Sequence, residues 1–337
     1  MSLTLTEQNS IARALQDNVP FVHEPFERVA RDLSLDPDAV LSQLAAWRDE
    51  RKLREISGVI EGSAVGYDSA LVAAHVPDGD IDRVAAVVST HPTVTHNYRR
   101  DHHFNLWFTI AVPDPPGLGP TLDAIARTAH VERLQPLRRT ATYKIGINFD
   151  LETLQSSTSA TGMHAIAPIR VAERERRLIR ALQTPLPIVG RPFRSLAATL
   201  DLDEDALLAF GREHLGGALR RYVATFRHRA LGVRANGMIV WNVPAASQDA
   251  VGQTLAHAPE VTHCYARNAI AGFPYTLYSM IHGADEATCR AIASSLAQRV
   301  GVADYRILFS THEYKKCRLR YFLPELDEWW ERAAVAA

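Results

Sequence analysis

The chain has 337 residues, with 37 Lys and Arg set against 38 Asp and Glu, a formal net charge of −1 and 47% hydrophobic residues. This excludes a strong electrostatic pull toward nucleic acid or an anionic membrane, and it supports packed cores in two to four domains. Only Cys264, Cys289 and Cys317 occur, without metal-type spacing; the N-terminus lacks a secretory pattern, and no apolar run reaches spanning length, so a soluble cytoplasmic protein is expected.

The first predicted elements are two helices, LTEQNSIARALQ and PFERVARDL, then an Asp-rich turn and a third helix, AVLSQLAAWRDERKL. Asp36 is placed to cap that third helix, because its carboxylate can accept from orphan N–H groups. Three short helices with a turn before the third read as helix-turn-helix, and ISGVIEGSAVGY reads as a two-stranded wing. Strand and helix then alternate: LVAAHVP, DIDRVAAVVSTHP, VTHNYRR, NLWFTIAVP, LGPTLDAIARTA and VERLQPLRRTATYKIG, in the order β-α-β-β-α-β of a ferredoxin-like unit. SSTSATGMHAIAP is small, polar and poorly periodic, and reads as a linker.

The same plan follows again. Residues 94–100 read VTHNYRR and residues 261–267 read VTHCYAR, an offset of 167 that recurs at Ala14–Gln16 with Ala181–Gln183 and at Pro25 with Pro192. After a short insertion, Thr140, Tyr143 and Lys144 match Thr311, Tyr314 and Lys315. A repeat this long is a duplicated domain pair, not a solenoid unit. Asp203 is the second copy's N-cap, and YVATFRHRALGV its wing. The expected fold class is α+β, a tandem duplication of winged helix-turn-helix plus ferredoxin-like ligand domain. The units are 1–67 and 68–150, a linker at 151–172, then 173–234 and 235–325. The third helices do not look like DNA readers: Arg48, Arg51 and Lys52 alternate with Asp49 and Glu50 at a helix end, and the second copy offers only Arg212 and His214. The helix-turn-helix units are therefore expected to serve packing and dimerisation.

This plan resembles the Lrp/AsnC architecture. Three local motifs are more specific. HNYRRDHHFNLWFT (residues 96–109), HCYARNAIAGFPYTLYSMIHG (residues 263–283) and RHRALG (residues 227–232) resemble the signatures of siroheme decarboxylases, the first of one subunit type and the other two of the second. A chain carrying both is similar to the fused NirDL form. The resemblance implies a carboxy-lyase that removes two acetate carboxylates from siroheme to give 12,18-didecarboxysiroheme in heme d1 biosynthesis. It implies no redox cofactor; iron enters within the substrate, and no protein-held metal is expected. Expected partners are siroheme, its decarboxylated product and other tetrapyrrole-pathway enzymes, with an internal pseudo-dimer able to assemble further as a homodimer.

The residues can be weighed against that chemistry. A flat macrocycle ringed with carboxylates calls for aromatic or soft faces and cationic donors. Tyr98, Trp107, Tyr265, Tyr275 and Tyr278 supply the first, and Arg99, Arg100, Arg227, Arg229 and Arg267 the second. Loss of carbon dioxide leaves an electron pair that must collect a proton, so His96, His102, His228 and His263 are candidate proton donors. Strand alternation points His96, Tyr98 and Arg100 one way, and likewise His263, Tyr265 and Arg267. The same pattern also suits a polar, solvated strand face. His103 points away from His102, His282 reads as a turn cap, and a histidine on the substrate iron stays open beside proton donation. Cys264 should face the other side of its strand, buried. The halves differ between their motif strands, so one pocket shared by both halves is expected. The competing functions are a small-molecule-sensing transcriptional regulator of Lrp/AsnC type and a non-catalytic tetrapyrrole carrier.

Overall fold

The computed structural model describes residues 3–149, 156–159, 166–226 and 235–335. Helices α1 (Leu5–Asp17), α2 (Pro25–Asp32) and α3 (Pro37–Asp49) open the first half, followed by β1 (Leu53–Ile60). The first ligand unit comprises β2 (Tyr67–Ala74), α4 (Ile81–Thr90), β3 (His96–Arg100), β4 (Leu106–Pro113), α5 (Leu118–Ala129) and β5 (Gln135–Phe149). A short strand, β6 (Ser156–Ser159), pairs with the end of β5 inside the stretch read as a linker.

The second half repeats this with α6 (Glu173–Gln183), α7 (Pro192–Thr199), α8 (Glu204–His214) and β7 (Leu219–Phe226). Its ligand unit is β8 (Ala235–Trp241), α9 (Gln248–His257), β9 (Val261–Arg267), β10 (Leu277–Gly283), α10 (Glu286–Val300) and β11 (Tyr305–Lys316). Asp36 and Asp203 cap α3 and α8 as their positions predict, accepting from the N–H groups of Asp38 and Ala206.

The first half's predicted wing needs correction, whereas the second half's runs into residues 227–234, outside the described residues. The chain after β1 makes a 3-10 turn at Gly62–Val65 and enters β2 through Gly66, whose φ of 82° suits glycine. No return strand forms within the first half; instead β1 pairs antiparallel with β7 of the second. The helices of both halves therefore close over one shared core, where Phe21 packs on Phe193 and Tyr222, and Trp47 on Phe226.

The ligand units also merge. Each contributes four strands in the ferredoxin-like order, and they join edge to edge as β3 on β11 and β9 on β5. The β2–β5 pairing completes the circuit, so eight strands form one closed barrel with the duplication's two-fold running along its axis. Outward-facing residues such as Val72, Phe108 and Ile110, or Ile239, Trp241 and Cys264, bury against α4 and α5 or α9 and α10. The long last strand of each half reaches over the other half's helices. Tyr143 donates to Asp249 at 2.6 Å, and Tyr314 to Asp82; Lys144 donates to the Ala258 carbonyl at 2.7 Å, and Lys315 to that of His91 at 3.0 Å. These are the same contacts made twice, and they make the internal pseudo-dimer an interlocked one.

The chain does not end with the second ligand unit. It returns to the helical layer, where Arg318 donates to Glu55, Ser57 and the Gly58 carbonyl and Tyr321 stacks edge-on against Tyr67. It finishes in α11 (Glu325–Val335), whose Trp329 packs into the first unit's core beside His91. No helix among the described residues is long and apolar enough to cross a membrane.

Candidate active site

The barrel interior holds the inward residues of all eight strands, and eight strands leave room for side chains or one small ligand. One end is closed by an aromatic plug. The β3–β4 and β9–β10 loops bring Phe104 and Phe273 together at 5.9 Å, over Trp107, Tyr275, Tyr278 and the aliphatic residues Leu137 and Leu308. Trp107 is fully buried, its Nε1 donating to the Phe104 carbonyl at 2.6 Å.

Beside the plug sit Arg100 and Arg267, equivalent by the repeat. Arg100 donates through Nη1 to the Leu308 carbonyl at 2.6 Å and lies 5.6 Å from the Tyr98 ring. Arg267 donates to the Leu137 carbonyl at 2.8 Å and lies 5.6 Å from the rings of both Tyr265 and Tyr278. Neither forms an ion pair among the described residues, and both Nε atoms are buried without a hydrogen-bond partner. Burial lowers both guanidinium pKa values to about 10, and the neighbouring tyrosines only partly offset it. Two uncompensated cations, Arg100 buried and Arg267 half-buried, are costly in an empty protein and are well placed to receive carboxylates.

Further along the same strands stand His96 and His263, on opposite walls of the barrel. They are close enough that a charge on His96 disfavours one on His263. Burial, then the His282, His96 and Lys144 charges, bring His263 down to about 4. Burial and Lys316 lower His96, with Glu313 opposing. Both rings are therefore neutral at pH 7. His96 Nδ1 lies 3.0 Å from the Thr95 hydroxyl, and His263 Nδ1 lies 3.2 Å from that of Thr262. Tyr98 is pushed up to about 12 by burial and by the neighbouring Glu313 carboxylate, whereas burial raises Tyr265 against the pull of Arg139, Arg267 and Arg220.

The structure thus brings His96, Tyr98, Arg100, His263, Tyr265, Arg267 and Tyr278 into one interior, and separates the other candidates from it. Arg99 lies on the outer face of β3, paired with Asp78 at 2.8 Å. Trp107 is part of the plug, as is Tyr275, whose hydroxyl lies 3.3 Å from Arg306 Nε. His102 sits in the loop outside the plug, its Nδ1 accepting from the Phe104 N–H at 3.0 Å and its ring edge-on to Phe273 at 5.4 Å. There it separates two surface cavities of about 700 and 680 Å³. Arg227, His228 and Arg229 lie outside the described residues. Cys264 is buried on the outer face. His282 is not a turn cap: its Nε2 lies 3.2 Å from the Thr262 hydroxyl, next to His263. The sequence reading missed Arg139, Arg220, Glu313 and Lys316. Arg139 and Glu313 were hidden by bulges in β5 and β11 that interrupt the alternation, and Arg220 comes from the helical layer. No cluster of His, Cys, Asp and Glu suited to a metal ion occurs among the described residues.

Comparison with known proteins agrees with this architecture. The AsnC-like ligand binding domain model matches residues 64–144 and 230–315, and that of the siroheme decarboxylase NirDL-like HTH domain matches residues 175–212. The siroheme decarboxylase of Hydrogenobacter thermophilus is 34% identical over 98% of this chain and 99% of its own length. The NirL subunit of the Stutzerimonas stutzeri siroheme decarboxylase is 37% identical over 45% of this chain and 91% of that protein. The crystal structure of the siroheme decarboxylase NirDL in complex with an iron-uroporphyrin III analogue superimposes with a TM-score of 0.80 at 30% identity, covering 98% of this chain and 99% of that one. With both halves matched over essentially their whole length, the chain belongs to the siroheme decarboxylase family.

Proposed function

We propose that the chain decarboxylates siroheme, removing the carboxyl groups of two acetate side chains to give 12,18-didecarboxysiroheme, a step of heme d1 formation. The observation that carries this reading is the pair of ion-pair-free guanidiniums, Arg100 buried and Arg267 half-buried, both with a buried and unpartnered Nε, sharing one interior with His96 and His263. A guanidinium fork matches a carboxylate, and the substrate's rim supplies the missing counter-charges. Family membership supplies the macrocycle.

In each turnover the bond between the methylene and the carboxylate breaks and carbon dioxide departs. The electron pair stays on the methylene carbon, delocalised into the macrocycle, and one proton converts that carbon to a methyl group. The chemistry is heterolytic and needs no redox cofactor. His96 and His263 are neutral in the empty barrel; substrate carboxylates entering it favour their protonation, so the substrate itself arms the proton donors. Arginine pairing alone stabilises the ground-state carboxylate too, so the rate gain rests on proton delivery as charge develops. His102 and His228 are proposed as further proton donors, and Arg227 and Arg229 as further contacts to the rim carboxylates.

The regulator alternative is disfavoured because the cations at the end of α3 are paired with adjacent acids, Arg48 with Asp49 and Lys52 with Glu50. Three free cysteines, two of them buried, suit a soluble cytoplasmic enzyme working beside other tetrapyrrole enzymes. The test is anaerobic incubation of the purified chain with siroheme, followed by mass spectrometry. A product lighter by two carbon dioxide units is expected. Bound, unchanged siroheme would indicate a carrier, and a retarded promoter fragment without siroheme binding would indicate a regulator.

A further inference from the structure

The two ends of the repeat are not electrostatically equal. On β5 and β9, Arg139 stands directly opposite Arg267, an arrangement that is unfavourable unless an anion intervenes. A third arginine, Arg220 at the start of β7, joins them through Glu61, which follows β1. Glu61 is buried, accepts from the Ser63 hydroxyl at 2.8 Å, and lies 2.6 Å from Arg220 Nε and 3.7 Å from Arg139 Nη2. The Arg139 and Arg220 side chains remain 28% and 24% exposed. Two guanidiniums therefore share one carboxylate between the barrel and the paired strands β1 and β7, and the third, Arg267, stands opposite Arg139 with no ion pair among the described residues. At the equivalent place in the first half, Arg100 faces Ser310, and Tyr98 faces Glu313 across the ladder. The duplication has kept the aromatic and histidine positions and placed an arginine, Arg139, on one side where the other has Ser310.

We propose that Arg139 and Arg220, with Arg267, receive carboxylates of the tetrapyrrole rim, so that the substrate is held on the Tyr265 side of the barrel. Glu61 occupies Arg139 and Arg220 in the empty protein as a stand-in carboxylate that the substrate displaces. This inference rests on the decarboxylase reading and assigns residues that no motif identified.

The test titrates the full chain anaerobically with siroheme, followed by absorbance, and measures turnover in parallel. Arg139→Ser, which copies the first half, and Arg220→Gln are each expected to raise Kd and KM roughly tenfold or more, as expected for losing a charge-assisted contact, with kcat changed less than about threefold. Lysine at either position should restore part of the affinity. Glu61→Gln should lower Kd, because it removes the competitor. Should Arg220→Gln fail to fold with Glu61 stranded, the double variant Glu61→Gln/Arg220→Gln still reports the loss of affinity. Unchanged Kd in folded arginine variants, or weaker binding in Glu61→Gln, would overturn the proposal while leaving the decarboxylase reading intact. Absence of siroheme binding by the unaltered chain would remove that reading, and this inference with it.

Discussion

Replacing Arg267 with methionine separates a guanidinium kept for the fold from one kept for a ligand. Burial brings this group from 12.5 to about 10, which disfavours its charged form by about 3 kcal/mol. The Arg267→Met variant removes that penalty and fills the volume of the side-chain stem. It gives up the 2.8 Å hydrogen bond to the Leu137 carbonyl and the contacts with two tyrosine rings, roughly 2–4 kcal/mol together. The opposing contributions nearly cancel, so the net change is expected within about 2 kcal/mol of zero, or no more than about 6 °C in Tm. Truncating a buried arginine that has a carboxylate partner would instead cost roughly 3–5 kcal/mol. Differential scanning calorimetry measures this directly. With siroheme at a hundredfold excess over Kd, the unaltered chain should gain about 2.7 kcal/mol of stability, and the variant little or none. A ligand-free Tm lower by more than about 10 °C would show that Arg267 is structural and refute the reasoning.

Further outcomes follow from other features. His263 is depressed to about 4 in the folded chain and is near 6.5 when unfolded, so the folded state binds fewer protons. Its contribution to stability is complete above pH 6.5 and is lost as pH falls from 6.5 toward 4; urea midpoints for His263→Gln should show a shallower acid slope than those for the unaltered chain. Gly252→Ala should destabilise by about 1–3 kcal/mol, because the new Cβ would stand 2.5 Å from the Tyr143 ring, which Asp249 holds in place; an unchanged urea midpoint would contradict this. Co-expressed as two chains, residues 1–159 and 166–337 should copurify one to one through β3–β11 and β9–β5, and light scattering that finds them apart would show the interlock to be weak.

Much of this organisation is written locally. Helix caps at Asp36 and Asp203, the strand order within each ligand unit and the shared face of His96, Tyr98 and Arg100 follow from period and residue type alone. What periodicity does not carry is which strand meets which across the duplication. The pairing of β1 with β7 and the crossing of β5 and β11 are long-range choices, set by two half-cores completing each other. Arg139 escaped notice for a related reason: bulges at Arg139/Ala141 and Thr142/Lys144 break the two-residue count that would have aligned it with Tyr265 and Arg267. Tyr321 and α11 lie beyond the repeat, so the comparison of halves had no counterpart to reveal them.

The ladder closes on itself through β5 and β11, each of which pairs with one neighbour along its first residues and with the other along its later ones. A rigid planar guest cannot slip between two fully paired strands without breaking a run of backbone hydrogen bonds, so its approach is from an end or past a crossing strand. The Phe104–Phe273 stopper blocks one end. At the other, Tyr67 and Ala111 already belong to the core of the helical layer. On the decarboxylase reading, the paired helical units thus stand at the threshold of the site, and small shifts of that layer would govern how fast a guest arrives and leaves.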